Sequence, residues 1–155
     1  LTFQLHDCYG ETKNMNSSNT NSGGWTSCAM RSTHLPAILA LMPTEVQNGI
    51  RAVNKLTSAG SQSATINTTA DKLFLLSEIE IFGSVSYSKS GEGTQYDYYK
   101  AGNSKVKKVN GSAGNWWERS PRGSDSAIFC HVNSDGYASY NYARRAIGVA
   151  FGFCF

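Results

Sequence analysis

Charge is scarce in this sequence. Lys and Arg number 14, Asp and Glu 11, so only 16% of the 155 residues are charged, against about a quarter in an ordinary soluble protein. The net charge of +3 is too mild to predict nucleic-acid binding or membrane insertion. No apolar run approaches the roughly 18 residues that cross a bilayer, and no signal-peptide pattern is present. Cysteines are few and far apart (Cys8, Cys28, Cys130 and Cys154), with no CxxC pair. Cys130 and Cys154 sit in apolar, strand-like runs and read as free buried thiols; Cys8 and Cys28 read as either a disulfide of an oxidising compartment or two more thiols. The histidines His6, His34 and His131 lack HxxxH or HExxH spacing, so no metal and no cofactor is expected. There is no GxSxG elbow, P-loop or dinucleotide fingerprint; Gly148-Val-Ala-Phe-Gly152 has the wrong spacing and a strand-like context.

Uncharged polar residues supply what charge does not. Ser (20), Thr (11), Asn (12) and Gly (15) make up 58 of the 155 residues, a composition rich in turns and loops. Yet 12% of the chain is aromatic, which separates it from disordered polar tracts. Rigid scaffolds bearing Ser/Asn/Gly/Tyr loops, as in binding paratopes, share this mixture. The length fits one domain over residues 1–155 with one core. Because the sequence opens at Leu1, it is expected to be the C-terminal part of a longer chain.

Periodicity predicts an α+β fold: helices early, an antiparallel sheet late, and long loops throughout. Leu1, Phe3 and Leu5 alternate as an opening strand. Lys13 to Gly24 is a polar loop. Helical spacing runs from Trp25 to Met42, with a break or restart at Pro36. A second short helix follows Pro43, with Thr44 as N-cap and Gln47 as its capping-box partner. Ile50, Ala52 and Val53 begin a strand that fades into a loop over Thr57 to Ser63. Lys72 to Leu76 is continuous enough for a central strand buried on both faces. Ser77-Glu78-Ile79-Glu80 starts a short helix that stops before Gly83. Ser84 to Ser112 shows little periodicity. Trp116 to Pro121 is a strand, Ile128 to Val132 another, and Asn133-Ser-Asp-Gly136 a turn into a returning strand at Tyr137 to Tyr142. Ile147 to Phe155 closes the chain as a central strand.

Charges inside apolar segments need partners. Arg31, Glu78, Glu80 and Arg119 read as buried ion pairs, Arg119 with Glu78 or Glu80, in preference to an acid/base pair. Lys105, Lys107 and Lys108 read as a solvated edge. Asn16-Ser-Ser, Asn67-Thr-Thr and Asn110-Gly-Ser match the glycosylation pattern, as chance alone produces in so Asn/Ser-rich a chain. Between Pro121 and Gly148, large polar and aromatic residues interrupt the strand formers: Arg122, Asp125, His131, Tyr137, Tyr140, Asn141, Tyr142, Arg144 and Arg145. These residue types give contact area and adaptable hydrogen bonds at low entropy cost. Alternation puts Tyr140 and Tyr142 with Ala138, opposite Tyr137, Ser139 and Asn141, and at least one set is expected to be covered.

Six motifs occur in order: Thr20-Asn-Ser-Gly-Gly-Trp25 with Met30-Arg31; Thr69-Ala-Asp-Lys-Leu-Phe-Leu-Leu-Ser-Glu78; Glu92-Gly-Thr-Gln-Tyr96; Trp116-Trp-Glu-Arg-Ser-Pro121; Phe129-Cys-His-Val-Asn-Ser-Asp-Gly136; and Gly148-Val-Ala-Phe-Gly152. Together they resemble the C-type-lectin-like variable proteins of diversity-generating retroelements, a family of phages, prophages and gut Firmicutes that includes phage tropism determinants. The resemblance spans about residues 14 to 155. It implies a C-type lectin-like fold with an antiparallel sheet, two or more short helices and long loops. Error-prone copying at adenines would diversify surface positions within a fixed framework. Carried over, the framework is Trp116, Trp117, Arg119, Ser120, Pro121, Phe129, Val132, Gly136, Gly148, Val149 and Phe151. The ligand-binding positions lie within about 122–147: Arg122, Ser124, Asp125, Ala127, His131, Tyr137, Ser139, Tyr140, Asn141, Tyr142, Arg144, Arg145 and Ile147. Glu118 departs from the pattern, since many relatives carry an apolar residue there. The calcium-binding motifs of sugar-binding C-type lectins are absent, as is the closely spaced cysteine pair of formylglycine-generating enzymes.

The resulting expectation is a non-enzymatic display domain that binds a protein or glycan receptor on a target cell, at a phage tail tip or a bacterial surface. Homo-oligomers would add avidity; no nucleic-acid partner and no membrane insertion are expected. An enzyme with Glu78, Glu80 or a cysteine in a deep cleft is the alternative, and a structural virion or surface-layer module is the third reading.

Overall fold

The computed structural model describes residues 1–155. In chain order its elements are β1 (Thr2–Gln4), α1 (Gly24–Ser27), a π-helical turn (Met30–His34) running into α2 (Leu35–Ala40), α3 (Thr44–Gly49), β2 (Val53–Ser58), β3 (Ile66–Asp71), β4 (Leu73–Phe74), α4 (Glu78–Phe82), α5 (Asp97–Lys100), β5 (Lys107–Val109), β6 (Ser112–Gly114), β7 (Trp116–Pro121), β8 (Ile128–Val132), β9 (Ala138–Tyr142) and β10 (Gly152–Cys154). The fold is mixed α and β, with short helices and several small antiparallel sheets. The sheets have the orders β1-β10-β4, β2-β3, β5-β6 and β7-β8-β9. No helix is long and apolar enough to cross a membrane.

Local signals account for the short helices. Pro36 lies in the first turn of α2, where its missing N–H costs nothing, so it restarts the helix. In α4 the Ser77 hydroxyl accepts from the Glu80 N–H while the Glu80 carboxylate accepts from the Ser77 N–H, a complete capping box. The same helix stops at Gly83, whose φ of 73° a side chain would resist. The box expected at α3 does not form. Pro43 occupies the N-cap there, and the Gln47 amide turns back to the Met42 carbonyl at 2.7 Å.

Strand boundaries shift where long-range partners claim the backbone. β2 starts at Val53 and keeps Thr57 and Ser58, because Ser58 pairs with Ile66 on β3. The expected central strand at Lys72 to Leu76 shortens to Leu73–Phe74 at a sheet edge. Its continuation is buried but unpaired by a second strand, since the carbonyls of Leu75 and Leu76 go to the Arg119 guanidinium and the Arg119 N–H, each at 2.9 Å. The C-terminal strand is central, as β10 between β1 and β4. It is limited to three residues: Gly152 admits the Phe74 ring, which would lie 2.8 Å from a Cβ there. The aperiodic stretch from Ser84 to Ser112 contains α5 and β5.

The core lies between these sheets and the helices. Trp25, Trp116, Trp117, Phe74 and Phe129 are its largest aromatic members. Every residue of β7 and β8 is buried. The outer edge of β7 is closed by Gly148, which accepts from the Trp117 N–H at 3.0 Å, and by Leu76. The central sheet is thus buried along β7 and β8 and has one free edge, β9.

Candidate binding surface

β9 pairs in full register with β8, from Ile128 with Tyr142 to Val132 with Ala138. None of its five residues is buried. Tyr140 and Tyr142 are 38% and 49% exposed, and Tyr137, just before the strand, 70%. Neither of the two alternating sets is buried, since an edge strand has only β8 as a strand neighbour. The cover that one set was expected to have is limited to Tyr140, on which the Tyr87 ring and the Arg122 guanidinium pack. Arg144 and Arg145 extend the exposed row beyond β9, with Ser124 exposed and Arg122, Asp125, Ala127, Ser139, Asn141 and Ile147 partly buried.

Two of the thirteen sequence-selected positions are not ligand-facing in this arrangement. His131 is 3% exposed, its ring against Trp117 at 6.1 Å. Burial pushes its pKa below the ordinary histidine value and keeps it neutral. It sits on β8, the middle strand, which is buried at every position, and so it leaves the surface set. Ile147 packs against the core, and its backbone bridges Lys13; its role is to hold the N-terminal loop.

Two surface residues come from outside the expected 122–147 window. The Tyr87 ring meets Tyr140 edge-on at 4.9 Å, and the Arg122 guanidinium lies 3.7 Å above the Tyr140 ring centre. Lys89 runs its stem along Gly123, where a Cβ would meet it at 3.2 Å. The 84–92 segment is pinned by Glu78, whose carboxylate accepts the N–H groups of Ser86, Tyr87 and Ser88 and the Ser88 hydroxyl at 2.6–3.1 Å. The Gly123 N–H to Tyr87 carbonyl bond, 2.7 Å, ties it to the loop that follows Arg122. Neither Tyr87 nor Lys89 carries a periodic signal. Glu78→Gln turns an amide NH₂ toward these donors and is expected to release the segment. Limited proteolysis should then cut near residues 84–90 in an otherwise folded protein; an unchanged cleavage pattern means the loop is held elsewhere.

Across the sheet from β9, beyond β8, lies a buried polar layer built on a bulge in β7. Trp117 pairs with His131 and Pro121 with Phe129, so Glu118, Arg119 and Ser120 together oppose Cys130. Arg119, fully buried, contacts Glu80 at 2.6 and 3.0 Å. Lys55 contacts Glu80 at 3.2 Å and the Tyr96 hydroxyl at 2.7 Å. Burial would raise the Glu80 carboxyl, but Arg119 and Lys55 outweigh it and hold it below its ordinary value. Glu92 accepts from the Ser120 hydroxyl and the Ser58 N–H, and burial raises its pKa. Of the expected ion pairs Arg119–Glu80 forms, while Arg31 takes Asp71 at 2.6 Å. Lys107 departs from the solvated-edge reading: its buried ammonium is capped by the Leu5 and His6 carbonyls at 2.5 and 2.9 Å.

Glu118 is the exception in this layer. It is wholly buried and neither carboxyl oxygen has a partner. Burial, and then the charges of Glu78 and Glu92, push its pKa well above the ordinary carboxyl value, so it is a neutral acid. All four cysteines are free thiols. Burial raises Cys8 to about 11 and Cys28 to about 12, and Cys130 is also raised, which leaves them protonated and poorly nucleophilic.

Two hollows mark the surface. One of about 260 Å³ lies between Arg31, Leu35, Leu39 and Leu73. The other, about 370 Å³, lies over Glu80, Thr94, Gln95 and Tyr96. The carboxylate reached from the second is the one already bound by Arg119 and Lys55.

No curated protein and no solved structure matches the chain. A family model does match, over residues 2–154, and the chain therefore belongs to DUF6273, a domain of unknown function.

Proposed function

We propose that this chain is a ligand-binding display domain of C-type-lectin-like fold, acting by non-covalent recognition of a receptor on a target cell from a phage tail tip or bacterial surface. The observation that carries this reading is the contrast across the central sheet. β7 and β8 are buried at every position, while β9 and its flanks expose Tyr137, Tyr140, Tyr142, Arg144 and Arg145. A rigid support under an edge strand of Tyr and Arg suits recognition, because such anchors lose little entropy on binding. The ordered motif series lends support from sequence. The buried acids Glu78, Glu80 and Glu92 are each spent on several protein donors, which favours a structural use for them.

The test is binding of the labelled domain to panels of whole bacterial cells and purified surface polymers. Replacing Tyr140, Tyr142, Arg144 and Arg145 together by Ala is expected to weaken binding at least about tenfold, or 1.4 kcal/mol. Thermal unfolding should stay unchanged. A folded quadruple variant that binds as well as wild type refutes the proposal. An adenine-rich near-copy of the gene's 3′ end beside a reverse-transcriptase gene would establish diversification.

A further inference from the structure

The charges at one end of β9 are unbalanced. Arg122, Arg144, Arg145 and Lys89 gather there, and none of them takes part in the chain's ion pairs. The acid among them, Asp125, has an oxygen engaged by the Ala127 N–H at 2.7 Å. Asp135 lies in the turn at the far end of the hairpin.

Arg122 is held as a ready-made anion receptor. Its backbone N–H is fixed to the Ile128 carbonyl at 3.0 Å. Its guanidinium stacks on Tyr140, itself braced by Tyr87. Its Nε is buried with no acceptor. The Nη groups make no hydrogen bond within the chain, and a stacked guanidinium has little rotamer freedom left to lose. An arriving carboxylate, sulfate or phosphate can take a charge-assisted pair of bonds from them. Around this point Tyr142, 49% exposed, and the part of the Tyr140 ring left open by Arg122 offer apolar surface to the C–H face of a sugar. Ser124, exposed nearby in the chain after Arg122, offers a hydroxyl to a sugar rim.

We propose that Arg122, stacked on Tyr140, is an anion subsite of the β9 face and that the partner is an acidic polysaccharide whose charged group docks on it. The proposal rests on the display reading and specifies its ligand class. Acidic protein segments offer carboxylates too but no rigid pyranose face for the exposed Tyr140 and Tyr142, so the glycan is the better fit.

Isothermal titration with a galacturonate oligosaccharide, a sulfated dextran fragment, unmodified dextran and a poly-glutamate peptide tests this. Wild type should bind at least one anionic saccharide about tenfold or more tighter than dextran, and tighter than poly-glutamate. Arg122→Met keeps the apolar stem over Tyr140 and should lose that preference, falling to the dextran level with its unfolding midpoint unchanged. If Arg122→Met does not fold, Arg122→Lys, which keeps the charge but not the fork, should weaken anionic binding several-fold. Equal affinity for dextran and the anionic saccharides, undiminished binding by Arg122→Met, no saccharide binding, or stronger binding to poly-glutamate would each overturn the inference. In those cases the quadruple β9 variant, assayed on whole cells, decides the display reading separately.

Discussion

Arg119→Met is expected to lower stability by about 3–5 kcal/mol, a large share of the roughly 5–15 kcal/mol that holds a domain together. Methionine fills the stem's volume, so the loss is polar. The guanidinium joins four parts of the fold: Glu80 on α4; the Leu56 carbonyl and Thr57 hydroxyl on β2 at 3.1–3.2 Å; the Leu75 carbonyl after β4; and the Glu92 carbonyl at 2.9 Å. Without it Glu80 keeps Lys55 and the Ser77 N–H, while buried carbonyls are left without donors. Arg119→Lys restores the charge but not the fork, and is expected to recover a minor part of the loss. The double variant Arg119→Met with Glu80→Met should cost less than the sum of the two single changes, since it removes both halves of the pair. Denaturant midpoints at constant slope measure all three. A single-variant loss under about 1 kcal/mol would mean that the network does not hold β7 to α4 and β2. The network also has an acid limit. Glu80 is depressed, so the folded state binds fewer protons than the unfolded one; its contribution is present above the ordinary carboxyl value of 4.5 and is lost as pH falls through the folded value.

Glu118→Met is expected to do the opposite and raise stability by about 2 kcal/mol near neutral pH, by replacing an unpartnered buried carboxyl with an apolar chain of similar size. The pH dependence gives the sharper test. Folded Glu118 keeps its proton to higher pH than in the unfolded chain, where the ordinary value of 4.5 applies. The folded state therefore binds more protons, and wild-type stability falls as pH rises from about that value toward the raised one. The gain from Glu118→Met should grow over the same interval and be smallest in acid. Glu118→Gln should remove the slope while recovering less of the stability, because an amide in the same place still lacks partners. Equilibrium unfolding of the three proteins across pH decides the matter. A Glu118→Met variant less stable than wild type at every pH would show that the carboxyl has a favourable role in the β7 bulge.

The legible parts of the fold were those encoded within a few residues. Ser77, Glu80 and Gly83 specify α4 because capping is local chemistry. Trp116–Pro121 and Ile128–Val132 keep their expected bounds, the first ended by its proline and the second an apolar run that a turn follows. An acidic partner for Arg119 at Glu78 or Glu80 was foreseeable because a charge in a buried strand needs one and few existed; that it is Glu80 was not. Thr44, by contrast, carried the right residue types for a cap, but Pro43 with φ −54° already fills that position. Leu75 and Leu76 read as strand because nothing local reveals that a guanidinium 44 residues away in sequence takes the Leu75 carbonyl.

For the candidate surface, composition and strand order alone determined that Tyr, Asn and Arg concentrate between the buried strands and the closing segment. Alternation also determined which of them share a side. Whether a side is covered is a question about other elements, and only the tertiary structure answers it. It leaves no residue of β9 buried because the edge has no further strand beside it, buries His131 because β8 is central, and seats Tyr87 on Tyr140 through a loop that Glu78 holds. The physical reason is the same in each case: side-chain direction is a local property of the backbone, while burial and partnership are made by contacts between segments distant in sequence.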